Sequence, residues 1–126
     1  MNTPPIFTVC AADATVQAIF SDPSGLRVYP FEYTEQNGFS IPLPYCVWQT
    51  VGGNPENNLS GKPKEDNVRL QVDIYGQNVE TVRAGANAIE GAIDLYSYVT
   101  SYMTESFEKE TKIYRASFGV EWIVKR

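Results

Sequence analysis

Apolar and polar side chains alternate along residues 68–75. Val68, Leu70, Val72 and Ile74 occupy one set of positions, and polar residues occupy the positions between them. Successive side chains of a strand point to opposite faces of a sheet, so this pattern predicts a strand with one buried and one solvated face. Tyr45–Val51, rich in aromatic and β-branched residues, predicts a second strand. Leu26–Phe31 predicts a short strand, placed at a sheet edge because Pro30 lacks a backbone N–H.

Three- and four-residue spacings of apolar residues predict helices at two places. One helix begins near Pro4 and Pro5, is divided into two pieces, and has Asp13 as the N-cap of its second piece. The other begins after Asn78 and carries a single apolar stripe that is typical of a core-facing helix. The members of that stripe are Val79, Val82, Ala86, Ile89, Ile93 and Tyr96.

The C-terminal region predicts a hairpin formed by residues 99–107 and 114–124. Two strands in direct succession, without repeated βα units, favour an α+β domain. We therefore predict one domain over residues 1–126, with an antiparallel or mixed sheet of about four to five strands, two helices packed on one face, and a long loop between two strands.

The predicted long loop runs from Gly52 to Asp66 and contains almost no side chain that a core could use. Structureless loops longer than about 12–15 residues are uncommon in compact domains unless they are functional or disordered. Leu59 is the apolar residue in this polar segment and is the expected anchor if the loop docks on a partner.

Composition excludes several classes of function. Ten basic and 15 acidic residues give a net charge of −5, which disfavours broad binding to nucleic acid or anionic membranes. The chain has no histidine, so Ser-His and Cys-His nucleophile pairs and imidazole metal sites are excluded. Cys10 and Cys46 have no metal-ligand spacing and are interpreted as reduced, half-buried small hydrophobic residues. We predict no enzyme activity, cofactor, metal or membrane span, and production in the cytosol.

The eight tyrosines are a second notable feature. Tyr and Trp are enriched where protein surfaces meet, because they offer large contact areas with a polar tip. Tyr75, Tyr98 and Tyr102 are predicted to lie outside the core and to belong to an interface. Strand edges, which natural proteins seldom leave bare, also favour self-assembly.

Several segments, in this order and spacing, resemble the tail-completion or tail-terminator (head-tail joining) proteins of long-tailed bacteriophages, prophages and gene-transfer particles. The resemblance covers essentially the whole chain. It is carried by Pro4-Pro5-Ile6-Phe7, Asp13-Ala14-Thr15-Val16, Arg27-Val28-Tyr29-Pro30, Pro42-Leu43-Pro44-Tyr45-Cys46-Val47-Trp48-Gln49, Gly53-Asn54-Pro55-Glu56-Asn57-Asn58-Leu59-Ser60-Gly61, and the strand Val68 to Tyr75 with the helix that follows it.

The resemblance implies a structural virion protein that forms a hexameric ring, caps the tail tube, ends its polymerisation and joins it to a head-side connector or stopper protein. Its implied partners are further copies of itself, the tail tube protein and that connector, while DNA passes through without specific binding. Assembly would occur in the host cytoplasm, and the finished ring would sit at the tail-head junction of the virion. The resemblance also implies interface roles for Asn54, Pro55, Glu56, Leu59, Ser60 and Gly61.

One alternative from another class stays open at this point. A small dimeric α+β ligand-binding or adaptor domain would place a pocket between sheet and helices, which requires polar residues converging on the buried face. The strand at residues 68–74 offers only aliphatic side chains there. The sequence leaves open the particle concerned, the state of the isolated protein, the orientation of a ring, and whether the role is that of a terminator or a head-side adaptor.

Overall fold

The computed structural model describes residues 3–31, 42–58, 61–102 and 105–125. The N-terminal helix is divided as predicted, into α1 (Ile6–Ala11) and α2 (Ala14–Phe20). The Asp13 side chain caps α2, because its Oδ1 accepts a hydrogen bond from the Val16 N–H at 3.0 Å.

A small antiparallel pair follows α2, formed by β1 (Ser21–Asp22) and β2 (Gly25–Leu26). Arg27, although only 8% exposed, is held there because its Nη1 lies 2.6 Å from Asp22 Oδ2 and its Nε donates to the Pro44 carbonyl at 2.8 Å. Hydrogen bonds from Ser24, together with the Arg27 guanidinium, lower the pKa of Asp22 from 3.8 to about 2.

The main sheet is formed by β3 (Val28–Pro30), β4 (Tyr45–Asn58), β5 (Gly61–Gly76), β6 (Ser97–Tyr102), β7 (Ser106–Glu108) and β8 (Ile113–Lys125). Its strand order is β3-β4-β5-β8-β6, and β7 also pairs with β8. The sheet is mixed, because β3 and β4 are parallel and the other described pairs are antiparallel. The fold is therefore of the predicted α+β class.

The core lies between one sheet face and the helices. Three cross-strand pairs of β5 and β8 belong to the core, and all six of their side chains are buried. The pairs are Val68 with Trp122, Leu70 with Val120, and Val72 with Phe118. This confirms the alternation of residues 68–74. The helix α3 (Val79–Ile93) has the Asn78 side chain as its N-cap, as predicted.

Among the described helices, both pieces of the N-terminal helix, α1 and α2, contact α3 on this face. The closest approach is at Gly85 of α3, where an added Cβ would lie 2.8 Å from Phe20 Cζ and 3.1 Å from Ile74 Cγ2. The absence of a side chain at Gly85 therefore lets α3 lie directly on α2 and β5.

The predicted long loop between Gly52 and Asp66 is wrong for the residues that the structure describes there. Strand β4 continues to Asn58 and β5 begins at Gly61, and the two strands stay paired from Gly52 opposite Arg69 to Asn58 opposite Gly61. Backbone pairing needs no apolar side chains, so a polar hairpin leaves no alternation by which sequence could identify it. A bulge between Thr50 and Gly52, with Gly52 at φ 151°, interrupts the regular pairing of β4 with β5 where the polar hairpin begins.

Two further predictions need adjustment. Tyr96 lies beyond α3, and its ring continues the apolar stripe by stacking on Trp122 with centroids 5.9 Å apart. The strand predicted at residues 99–107 is divided into β6 and β7, which pair successive parts of β8.

Candidate functional site

The sheet face opposite the helices carries polar and aromatic side chains, and no helix in the described part of the chain packs on it. We call it the open face. Strand register places directly opposed residues of β4, β5, β8 and β6 together on it. They are Tyr45, Val47, Gln49, Arg69, Gln71, Asp73, Tyr75, Arg115, Ser117, Gly119, Glu121 and Tyr98.

Asp73 is the centre of a polar network on the open face. Its carboxylate accepts hydrogen bonds from the Ser117 hydroxyl, from Gln71 Nε2 at 3.2 Å and from Arg115 Nη2 at 3.3 Å. The residue is only 7% exposed, because these neighbours cover it. The alternation of residues 68–75 placed Asp73 on the correct face, but its contacts with Ser117 and Arg115 depend on β5–β8 register, which the sequence does not reveal. The network contributes order to the middle of the face rather than a reactive group.

Tyr75, a predicted interface residue, lies beside this network. Its ring stacks on Tyr45 from the neighbouring strand, with centroids 4.9 Å apart, and Arg115 lies over it with Cζ 6.0 Å from the centroid. Burial, followed by the charge of Asp73, raises the pKa of Tyr75, and burial also raises the pKa of Tyr45. Both phenols are therefore neutral at physiological pH and present a half-buried, ordered aromatic pair.

Tyr98 and Tyr102 lie on edge strand β6, on opposite faces of the sheet. Tyr98 pairs with Glu121 on the open face and donates a hydrogen bond from its hydroxyl to that carboxylate. Tyr102 lies opposite Phe118 on the helix side, and its hydroxyl donates to Glu90 Oε1 of α3 at 2.7 Å. Both rings remain exposed, by 53% and 71% respectively. The structure thus brings Tyr75 and Tyr98 to one face, and Tyr102 to the other.

The remaining predicted interface residues belong to the β4–β5 hairpin. Asn54 lies opposite Asn67, Pro55 opposite Asp66 and Glu56 opposite Glu65, while Gly61 pairs with Asn58. Leu59 and Ser60, between those last two residues in sequence, lie outside the described residues. These residues therefore form a separate group at the far end of β4 and β5.

The described residues offer little for ligand chemistry. A cavity of about 220 Å³ between α3, β7 and β8 is lined by Val79, Val82, Phe107, Tyr114 and Arg115 and bordered by the Arg83–Glu105 ion pair. A second, open cavity has about 360 Å³, near the lower end of the 300–1,000 Å³ that is usual for ligand pockets. Its lining residues are Val51, Arg69, Leu70, Thr100, Ser101, Gly119 and Val120, which include no carboxylate. No group of acidic or cysteine side chains that could hold a metal ion occurs in the part of the chain that the structure describes. Cys10 and Cys46 are free, as predicted, and they are fully buried rather than half-buried. None of the helices in the described ranges is long and apolar enough to cross a membrane.

Comparison with known proteins gives the context for these surfaces. The sequence profile of the family "Tail completion protein gp17" matches residues 4–125. No curated protein sequence matches the chain. A solved structure, described as the virion of a native gene transfer agent particle, contains a chain of similar fold with a TM-score of 0.63 at 13% identity. That similarity covers 96% of this chain and 92% of the other one.

The family match spans nearly the whole chain, and the fold agrees with that of a chain from a gene-transfer virion. This confirms the resemblance first indicated by the sequence segments. A protein of this family is a structural component of the phage tail. The chain belongs to the family of tail completion protein gp17.

Proposed function

We propose that the protein assembles into a hexameric ring that caps the finished tail tube, ends its polymerisation and joins the tail to the head connector. The ring would form in the host cytoplasm and remain in the virion at the tail-head junction. Family membership and the fold shared with a gene-transfer virion chain support this role. The net charge of −5 supports passage of DNA without specific binding, since acidic surfaces repel phosphates.

The observation that carries the proposal is the polar hairpin of β4 and β5. Glu65 pairs with Lys125, the last residue of β8, so among the described residues no part of β8 pairs with 61–64, where Gly61 pairs with Asn58 of β4. An isolated two-stranded hairpin is marginally stable in water. An arm of this kind is suited to contact a neighbouring protomer or the tube end, which would provide the third strand or the packing surface that it lacks.

A shortened hairpin tests this proposal. Residues 56–65 are replaced by Asn-Gly, which joins the opposed residues Pro55 and Asp66 through a two-residue turn. The matched control changes the exposed turn at the end of β7, with Lys109 and Glu110 both replaced by serine. We expect both proteins to unfold cooperatively, and only the control to bind purified tail tubes and stop their elongation.

Electron microscopy of tube lengths and sedimentation of bound protein provide the readout. Normal capping by the shortened variant would show that the hairpin is not the contact and would overturn this assignment. Loss of capping by both variants would mean that the assay reports general damage to the fold, which the unfolding curves would reveal.

A further inference from the structure

Strand β6 is an edge strand whose only protection of the usual kinds, among the described residues, is one irregularity. It pairs with β8 on one side, and in the described ranges no strand pairs with its other side. Natural edge strands are usually blunted by charged residues, proline or bulges, since their free N–H and C=O groups attract other strands. The β6 sequence Ser-Tyr-Val-Thr-Ser-Tyr contains no charge and no proline, and its one irregularity lies between Val99 and Ser101.

Two tethered tyrosines border this edge. The Tyr98 hydroxyl is fixed to Glu121 on the open face, and the Tyr102 hydroxyl is fixed to Glu90 on the helix side. Their exposed rings therefore stand on both sides of the edge with restricted motion. Aromatic side chains that are ordered before binding lose little conformational entropy when a partner covers them. This arrangement fits an added strand whose two faces would be covered by the two rings.

The opposite edge of the sheet offers a matching strand. Strand β3 pairs with β4 only at Cys46–Trp48, so from Gln49 onward the outer side of β4 has no described partner. The stretch from Gln49 to Asn54 has the same length as β6 and is likewise free of charged residues and proline. Pro55, which has no N–H, ends this stretch.

From these two edges, we propose that β6 binds the outer side of β4, at Gln49–Asn54, of a second copy of this chain. The proposal rests on the proposed ring and names the contact that would close it. Each protomer has one edge of each kind at opposite ends of its sheet, so head-to-tail pairing uses both edges in every copy. Such heterologous contacts generate a closed ring when the rotation closes. Pairing of β6 with β6 would instead give an isolated dimer and leave every β4 edge bare.

Paired cysteines test this contact. Ser101→Cys on β6 is combined with single cysteines scanned over Gln49 to Asn54, because a disulfide forms only when the two Cβ atoms come within about 3.5–4.5 Å. The native cysteines are buried and do not interfere. Controls are Ser101→Cys alone and Ser101→Cys combined with Ala84→Cys, an exposed position on α3. Each protein is oxidised with and without tail tubes and run on a denaturing gel, and native mass is measured in parallel.

We expect at least one β4 position to give a ladder of covalent species from dimer to hexamer, with neither control forming one. Rings in the native mass without a ladder at any position would overturn the edge contact and leave the proposed ring intact. Dimers from Ser101→Cys alone would show that β6 pairs with itself, which also overturns the contact. Protein that stays monomeric even on tubes would contradict both the edge contact and the ring.

Discussion

Replacement of two glycines of α3 by alanine should affect stability differently, because one glycine is exposed and the other packs on α2 and β5. Gly91 is exposed, with no atom within 4 Å of an added Cβ, so Gly91→Ala gains helix propensity and stabilises the fold by about 1 kcal/mol. Gly85→Ala gains the same propensity, but its Cβ would lie 2.8 Å from Phe20 Cζ and 3.1 Å from Ile74 Cγ2. Both neighbours are fully buried, so neither can move aside, and overpacking of this kind costs about 1–3 kcal/mol.

Gly85→Ala is therefore expected to be as stable as the unaltered protein or up to about 2 kcal/mol less stable, and Gly91→Ala to be more stable. Urea unfolding at 25 °C, followed by tryptophan fluorescence, measures both free energies of unfolding. Phe20→Leu removes the ring that Gly85→Ala would meet, so the cost of Gly85→Ala should fall in that background. Equal stabilisation by the two alanines would refute the contact of α3 with α2 and β5.

Three other predictions follow from buried and charged groups. Leu70→Asp places a carboxylate on the buried face of β5 and should unfold the protein, whereas Thr50→Asp, at the exposed position opposite Leu70, should not. Circular dichroism and gel filtration distinguish the two variants, and a soluble Leu70→Asp protein that unfolds cooperatively would mean that the buried face is assigned wrongly. Burial, together with the charge of Asp13, raises the pKa of Cys10 to about 12, and burial also raises the pKa of Cys46. A thiol reagent at pH 8 should therefore label neither cysteine until the chain unfolds, and rapid labelling of the native protein would contradict this. The pKa of Asp22 is lowered to about 2, so the contribution of Asp22 to stability is complete above its unfolded pKa of 3.8 and is lost as the pH falls towards 2. Asp22→Asn should remove this loss of stability between about pH 4 and 2, and an NMR titration midpoint of Asp22 near 3.8 would contradict the lowered pKa.

The sequence predicted those parts of the fold in which side-chain burial has a period. Val68 to Ile74 alternate because only one side of β5 faces the helices, and Asp13 and Asn78 mark helix starts because their side chains accept backbone N–H groups. Cys10 and Cys46 were placed in the interior by their apolar surroundings. In each case a local physical requirement leaves a local pattern.

Features that depend on strand register were not predictable in this way. The hairpin between Gly52 and Asp66 is held by backbone pairing of polar residues, so its sequence was interpreted as a loop. The hydrogen bond between Asp73 and Ser117, and the separation of Tyr98 and Tyr102 onto two faces, require knowledge of which residues lie opposite each other. The irregularity between Val99 and Ser101 places Tyr102 on the helix side, and no residue type in that segment signals it.

The interface roles of the predicted residues remain proposals that depend on assembly. Asn54, Pro55, Glu56 and Gly61 share the polar hairpin, whereas Tyr98 and Tyr102 border the opposite edge of the sheet. In a head-to-tail ring, these two groups would meet across each contact between protomers. Tyr75, stacked on Tyr45 in the open face, would belong to a different surface, available to the tube or the connector.

Native mass spectrometry of the full chain, alone and with purified tail tubes, tests the central claim most directly. The proposed function predicts a hexamer, either in solution or formed from monomers on tube ends, with no small molecule bound. A stable dimer that ignores tubes, especially one carrying a ligand, would contradict the ring and support a small binding domain instead.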